Sequence, residues 1–379
     1  MKYNFPVGYY NFHEKADLNF QLNRLVANGG SIEEVQRIAN NITDYADWKR
    51  EMVNLAEKFN LDKDYLSSAM FYRSAEFFAE PNDPDKEVFY GKFVDLFYKA
   101  YADAKKQLVE VPYENSYLPA IHLQCEDKDK KGTVVICNGF DGLLEELYVM
   151  GSYIRDDGYD VVMFDGPGQG AALIRNNLHM THEWEKPVKD VLDHFNFSDV
   201  ILIGVSLGGC LALRAAAFEP RISKVVAFDI FYDFFQVLLH AGGPKIQEEL
   251  TALIDSGSLE LLNKTLYEMM ETNLMVNWGM NHGMRVMGVN TPFDYINKVR
   301  LFTTEKISEL VTQDVLLLAG TRDHYVPLEM FYQQIEVLKN VRSLTCRLFT
   351  EKEHAAAHCQ LGNEKLALDF IINWMNITN

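Results

Sequence analysis

The most constraining stretch of this chain runs from Val200-Ile201-Leu202-Ile203 through Gly204-Val205-Ser206-Leu207-Gly208-Gly209 into Cys210-Leu211-Ala212-Leu213-Arg214-Ala215-Ala216-Ala217. Its first part is apolar and rich in strand formers, its last part is made of helix formers, and the two meet at a Gly-x-Ser-x-Gly turn. A strand that turns so sharply into a helix strains the backbone at the serine, and the flanking glycines remove Cβ atoms that would collide there. The hydroxyl is thereby lifted above the end of a buried strand, beside helix N–H groups that have no partner within the helix. Such a turn needs a sheet beneath it, so further buried strands must follow from the rest of the chain.

They do. Short apolar runs at 133–137, 160–164, 200–203, 225–228, 315–318 and 344–349 alternate with helical patterns, which predicts an α/β fold with a mostly parallel sheet. Ahead of them, Leu108-Val109-Glu110-Val111-Pro112-Tyr113 and Tyr117-Leu118-Pro119-Ala120-Ile121-His122-Leu123 flank the turn-like Glu114-Asn115-Ser116, an antiparallel hairpin. Before residue 106 the spacing is helical, as in Trp48-Met52-Leu55-Phe59 and Met70-Phe71-Ala75-Phe78, with Thr43 or Asp44 able to cap one helix. A helical N-terminal region over 1–105 and a catalytic domain over 106–379 are expected. About 85 residues separate the strands at Phe228 and Val315, far more than one crossover helix needs, so a helical insertion is expected over about 232–308. Trp278, Met280, His282, Met284 and Met287 fall within it, and two readings stand: a lid over a pocket, or a helical excursion whose methionines fill core gaps.

Length and charge narrow the function classes. The 379 residues suffice for one large α/β domain with an added element, and a net charge of −18 opposes binding to nucleic acid or to anionic membrane surfaces. Cys125, Cys137, Cys210, Cys346 and Cys359 are scattered without a paired spacing, so neither a zinc site nor a disulfide framework is signalled. No metal or other cofactor is expected. The N-terminal residues lack the apolar core of a secretory signal and no run is long enough to span a bilayer, so a cytoplasmic protein is expected.

A serine hydroxyl is a weak nucleophile at neutral pH and requires a histidine to take its proton and a carboxylate to orient that histidine. In an architecture with this turn they follow in the order serine, acid, histidine. Asp323 lies just past the strand at 315–318 and is the expected acid, with Asp229, at the end of the preceding strand, as its rival. After the last strand come His354 and His358, between which spacing does not choose; His324 reads as a loop residue. Leu207 N–H, in the first turn of the helix, is one donor for a developing oxyanion, and Phe140 N–H, in Asn138-Gly139-Phe140-Asp141-Gly142 after the strand at 133–137, is the expected second.

At these residues the chain resembles a branch of the α/β-hydrolases that contains dihydroxy-pseudo-oxynicotine hydrolase, the fungal heptaketide hydrolases of pigment synthesis and the fermentation–respiration switch proteins. The likeness is carried by Tyr72-Arg73-Ser74-Ala75-Glu76-Phe77-Phe78, Val111-Pro112-Tyr113, Asn138-Gly139-Phe140-Asp141 with Glu145-Glu146, Asp165-Gly166-Pro167-Gly168-Gln169-Gly170 and His358-Cys359-Gln360-Leu361-Gly362. It implies an eight-stranded α/β-hydrolase fold, a helical N-terminal region over the active-site mouth, and a helical lid before the acid-bearing strand. It also implies His358 as the base, Asp141 as an acidic group that binds or protonates substrate, and a pocket walled by Trp278, His282 and Met284. A homodimer follows from the same resemblance. More distantly the chain resembles the prolyl-oligopeptidase-like acylaminoacyl peptidases, although no propeller-like repeat precedes Leu108.

The resulting expectation is a serine hydrolase acting through an acyl-enzyme on an ester, an amide or an activated carbon–carbon bond of a small apolar or aryl carbonyl compound. The alternatives are a serine peptidase taking short peptides and a regulatory, partner-binding protein that keeps the fold without the chemistry.

Overall fold

The apolar runs read as buried strands are strands, and they join one sheet. The computed structural model describes residues 3–127, 129–241, 243–255 and 258–377; Met1 and Lys2, which open the expected helical region, lie outside them. The chain divides into two compact units, Met1–Gln107 with Leu361–Asn363, and Leu108–Gln360 with Glu364–Asn379.

In the first unit the helices Ala16–Ala27, Ile32–Ile38, Tyr45–Leu61, Tyr65–Phe78 and Lys86–Ala100 follow one another. Asp44, and not Thr43, caps the third, its carboxylate accepting from Asp47 N–H at 2.8 Å. Ser31 and Asp64 cap their helices in the same way. Trp48, Phe71, Phe93 and Phe97 are fully buried, and the Trp48 indole N–H donates to Ser74 O at 2.7 Å, which satisfies its one polar group. Glu76 is buried between two cations, 2.7 Å from Arg73 and 2.8 Å from Lys86.

The second unit is built on eight strands: β1 (Leu108–Tyr113), β2 (Ser116–Leu123), β3 (Gly132–Cys137), β4 (Tyr159–Phe164), β5 (Val200–Val205), β6 (Ile222–Phe228), β7 (Asp314–Gly320) and β8 (Ser343–Phe349). Their order is β1-β2-β4-β3-β5-β6-β7-β8. The hairpin β1–β2 is antiparallel and joins β4 antiparallel, and every pairing from β4 through β3 to β8 is parallel. This is the α/β-hydrolase architecture expected from the sequence. The reason for the pairing lies in composition: β4 and β7 are buried along their whole length, as strands covered by helices on both faces must be, whereas the edge strand β8 is mostly half-buried.

Between β6 and β7 lie the helices Phe234–Ala241, Gly243–Asp255, Leu259–Thr272, Leu274–Met287 and Pro292–Val299. Leu239, Leu250, Leu262, Leu266 and Ile296 give this insertion a small core of its own. Its two ends are tied together where Phe234 N–H donates to Phe302 O at 3.0 Å and Thr304 N–H donates to Tyr232 O at 2.9 Å. Met287 is buried within the main core, and Met280 and Met284 are half-buried against it. Among the described residues no helix is long and apolar enough to cross a membrane.

Candidate active site

Parallel strands deliver their following loops to one edge of the sheet, and in open α/β sheets ligands bind beyond the carboxyl ends of the strands. Ser206 follows β5, Asp229 follows β6, Asp323 follows β7, and His358 follows β8, on adjacent strands at that edge.

Ser206 has φ 61° and ψ −127°, a left-handed conformation that a non-glycine residue adopts only where its surroundings enforce it. Two hydrogen bonds do so: Ser206 N–H donates to Phe228 O at 2.6 Å and Gly209 N–H to Ser206 O at 2.8 Å. The turn closes so tightly that a Cβ on Gly204 would lie 1.8 Å from Gly208 O. The flanking glycines are therefore required by close approach, as the motif implied.

A continuous chain of hydrogen bonds leads from this serine. Ser206 Oγ lies 2.8 Å from His358 Nε2, and His358 Nδ1 lies 2.6 Å from Asp323 Oδ2. The other oxygen of Asp323 accepts from Tyr325 N–H at 2.8 Å and Val326 N–H at 3.0 Å, which fixes the carboxylate. Burial pushes the Asp323 carboxyl up, but the His358 ring and those two N–H groups outweigh it and hold it below the ordinary value. Burial likewise works against a charged His358, yet the Asp323 carboxylate beside it raises the ring well above the usual histidine range. His354, by contrast, is exposed in a left-handed turn after β8. His324 packs against the Tyr325 ring, where burial lowers it to about 4. Of the two histidines that spacing left open, the structure brings His358 to Ser206.

The loop after β3 closes over the same turn. A Cβ on Gly139 would lie 2.7 Å from Val205 O and 2.8 Å from Leu207 N, so the Gly139–Phe140 backbone runs against the N-terminus of the helix Leu207–Phe218. Gln169 holds this loop from behind: its amide donates to Asn138 O at 2.5 Å and Gly139 O at 2.9 Å and accepts from Gly166 N–H at 2.9 Å. Asp165, from the same run, accepts from Ala171 N–H at 2.8 Å, and burial, with Glu145 nearby, keeps its carboxyl well above the usual range. The positioning part played by Gln169 was not evident from the sequence; the glycine-rich run Asp165–Gly170 was its only signal.

From the insertion, His282 Nε2 donates to Phe140 O at 3.1 Å, and its ring stacks on Trp278 with centroids 5.2 Å apart and planes within 6°. Both lie on the helix Leu274–Met287, four residues apart and so on one face. Phe140 also meets Phe234 edge-on at 5.1 Å. Phe231 and Tyr325 stand edge-on to the His358 ring at 5.9 and 5.4 Å. Met284, expected with Trp278 and His282 as a pocket wall, is half-buried on the same helix and packs against the core, as Phe140 and Tyr325 do. Asp141 is half-buried, one residue beyond Phe140.

The second carboxyl at the site is Asp229, fully buried, with Oδ2 3.8 Å from His358 Nδ1. Burial first, and the neighbouring Asp323 charge second, push it up to about 8. The sequence offered Asp229 and Asp323 as rivals; in the structure both reach the same ring. Ligand atoms of Asp229, Asp323 and His358 lie within 4.8 Å of one another, a spacing that could hold a metal ion. Both His358 ring nitrogens, however, are engaged by Ser206 and Asp323, so the cluster is a hydrogen-bonded relay.

Residues 132–355 match the family model described as alpha/beta hydrolase fold. Among proteins with similar sequences, the hydrolase LUC6 of Fusarium sp is 32% identical over 262 residues, covering 63% of this chain and 61% of that protein. The 20-hydroxy-prefusarin hydrolase FUS2 of Gibberella moniliformis is 32% identical over 256 residues, covering 61% and 59%. The chain thus spans about three fifths of the length of these curated relatives. Among solved structures, 2,6-dihydroxy-pseudo-oxynicotine hydrolase superposes with a TM-score of 0.68 at 20% identity over 93% of this chain and 94% of that one, a likeness of fold. Fungal hydrolases and a dihydroxy-pseudo-oxynicotine hydrolase are the relatives anticipated from the motifs.

Proposed function

The chain belongs to the α/β-hydrolase fold family, and from that premise we propose that it is a serine hydrolase that works through an acyl-enzyme. The observation that carries the reading is the unbroken relay from Asp323 through His358 to a serine in a left-handed backbone conformation. His358 Nε2 takes the Ser206 proton as Oγ attacks a substrate carbonyl, and Asp323 stabilises the imidazolium that forms. The oxyanion is held by the N–H groups of Leu207 and Phe140, a reading supported by the close approach of Gly139, the residue before Phe140, to Leu207 N. Collapse of the tetrahedral species returns the proton from His358 to the leaving group, and water activated by the same nitrogen releases the acyl group.

The substrate is a small carbonyl compound with an apolar or aryl portion, cleaved at an ester, an amide or an activated carbon–carbon bond. Support comes from the rings of Phe140, Phe231, Phe234 and Tyr325 and from the stacked Trp278–His282 pair. The fungal relatives are named as hydrolases, which agrees with it. Asp141 is the group that holds or protonates the polar end of the substrate, and the helical insertion serves as the lid that excludes water.

A fluorophosphonate probe tests the reading. Wild type should be labelled at Ser206 and Ser206→Ala not at all, with turnover of short acyl esters or aryl diketones falling by about a millionfold on the precedent of other serine hydrolases. Full activity in Ser206→Ala would end the proposal.

A further inference from the structure

His358 faces two carboxyls, and the catalytic scheme above uses one. Asp323 makes the short bond at 2.6 Å; Asp229 stands 3.8 Å from the same nitrogen and is also buried. Asp229 is fixed in place by its own contacts. Its Oδ1 accepts from Ile230 N–H at 2.7 Å, and its Oδ2 accepts from Cys359 N–H at 3.3 Å and the Gln360 side-chain amide at 3.4 Å. Those two partners directly follow the histidine and both have left-handed backbones, φ 51° for Cys359 and 52° for Gln360, which non-glycine residues hold only under constraint. The carboxyl therefore pins the turn that aims the imidazole and lies within a small ring rotation of Nδ1.

Two ionised carboxylates so close together in a buried site repel each other, so one of them keeps its proton. The distances decide which: Asp323 holds the imidazole at 2.6 Å and two backbone N–H groups at 2.8 and 3.0 Å, whereas Asp229 stands 3.8 Å from the ring and two of its three N–H contacts are 3.3 and 3.4 Å long, so Asp323 is the ionised member. The titratable groups facing Asp229 are Asp323 from the loop after β7 and His358 and Cys359 from the turn after β8. From these contacts we propose that Asp229 is a positioning residue and a reserve acid, a neutral carboxyl that anchors the His358 turn and becomes the imidazole's carboxylate partner when Asp323 is lost. In that event Asp229 gives its proton to solvent and accepts the Nδ1–H hydrogen bond, while the proton from Ser206 still goes to Nε2.

The inference rests on the serine-hydrolase reading, and the experiment separates the two. Fluorophosphonate labelling rates are measured for wild type, Ser206→Ala, His358→Ala, Asp323→Ala, Asp229→Asn and Asp323→Ala/Asp229→Asn. Wild type that is not labelled at Ser206 sinks the serine-hydrolase reading itself. Given labelling, Asp229→Asn alone should slow labelling by about threefold to tenfold as the turn it anchors loosens, but should slow Asp323→Ala by about a hundredfold or more, a coupling that independent residues do not show. Asp323→Ala should also outpace His358→Ala by about tenfold or more and show, besides the rise from His358 losing its own proton, a second ionisation belonging to Asp229 that the double variant lacks. Equal factors for Asp229→Asn in both backgrounds, or Asp323→Ala no faster than His358→Ala, overturn the proposal. The second comparison needs no change at Asp229, and Asp229→Ser can replace an Asn variant that fails to fold.

Discussion

Gly139 lies directly against the peptide that joins Ser206 to Leu207, where an added Cβ would fall 2.9 Å from Ser206 Cβ and 2.8 Å from Leu207 N. No flexible side chain is there to move aside, because two of the three nearest atoms are backbone and the third is Ser206 Cβ. Gly139→Ala must push the loop after β3 away from the helix N-terminus and separate the two proposed oxyanion donors, Phe140 N–H and Leu207 N–H. Loss of one such donor costs about a hundred- to a thousandfold in kcat. The expected outcome is a fall of that order in ester turnover, with secondary structure intact by circular dichroism. Wild-type turnover in Gly139→Ala would remove Phe140 from the oxyanion hole.

The bond from His282 to Phe140 O ties the insertion to that same loop. If it steadies the oxyanion donor, then its loss should appear in kcat. His282→Phe keeps a ring to stack on Trp278 but has no N–H, whereas His282→Ala loses both. A net hydrogen bond contributes about 1 kcal/mol, so kcat should fall roughly fivefold in both variants, while KM rises further in the Ala variant alone. Unchanged kcat in His282→Phe would reduce His282 to a wall of the pocket.

The sheet, its hairpin and the Ser206 turn were legible in the sequence because each depends on local signals: apolar runs of strand length, a change of period at Leu108, and glycines where a Cβ does not fit. The serine, acid, histidine order and the place of Asp323 past a strand were legible too, but spacing did not choose between His354 and His358, and the choice of His358 came from the resemblance. What local pattern does not encode is convergence. Asp229 and Asp323 are nearly a hundred residues apart, and spacing set them against each other as rivals, although neighbouring parallel strands bring both to one ring. Gln169 behind the oxyanion loop was hidden in the same way, since its hydrogen bonds cross some thirty residues to backbone carbonyls that carry no sequence signature.

Asp229 also makes stability depend on pH, in the sense opposite to most carboxylates. Its folded-state value is raised to about 8 from 3.8, so between those limits the folded chain holds a proton that the unfolded chain has released. The stabilisation is full below about pH 4 and is lost progressively as pH rises towards 8. Asp229→Asn cannot ionise and escapes that loss, while Asp323 and His358 remain in both proteins. The variant should therefore gain on wild type as pH rises from 5 to 8, measured as the difference in urea midpoints by tryptophan fluorescence. A difference that stays constant with pH would mean that Asp229 is ionised throughout.

In the helical unit the buried cluster of Arg73, Glu76 and Lys86 supports a prediction about stability alone. All three side chains are no more than 8% exposed, so the single charge of Glu76 is shared between two largely desolvated cations. Lys86 keeps partners without it, since its ammonium also donates to Glu76 O at 2.8 Å and Ala79 O at 2.9 Å. Glu76→Gln keeps the shape but removes the charge that offsets two desolvated cations, and breaking a buried pair from one side costs about 3–5 kcal/mol. A loss of about 3 kcal/mol, the lower end of that range, is expected because Lys86 retains those carbonyls. Replacing all three residues by Met, Leu and Met should recover most of it, since no charge is then left buried. Urea unfolding of Glu76→Gln and the triple variant compares the two directly: a triple variant less stable than Glu76→Gln would show that the ion cluster itself holds this unit together.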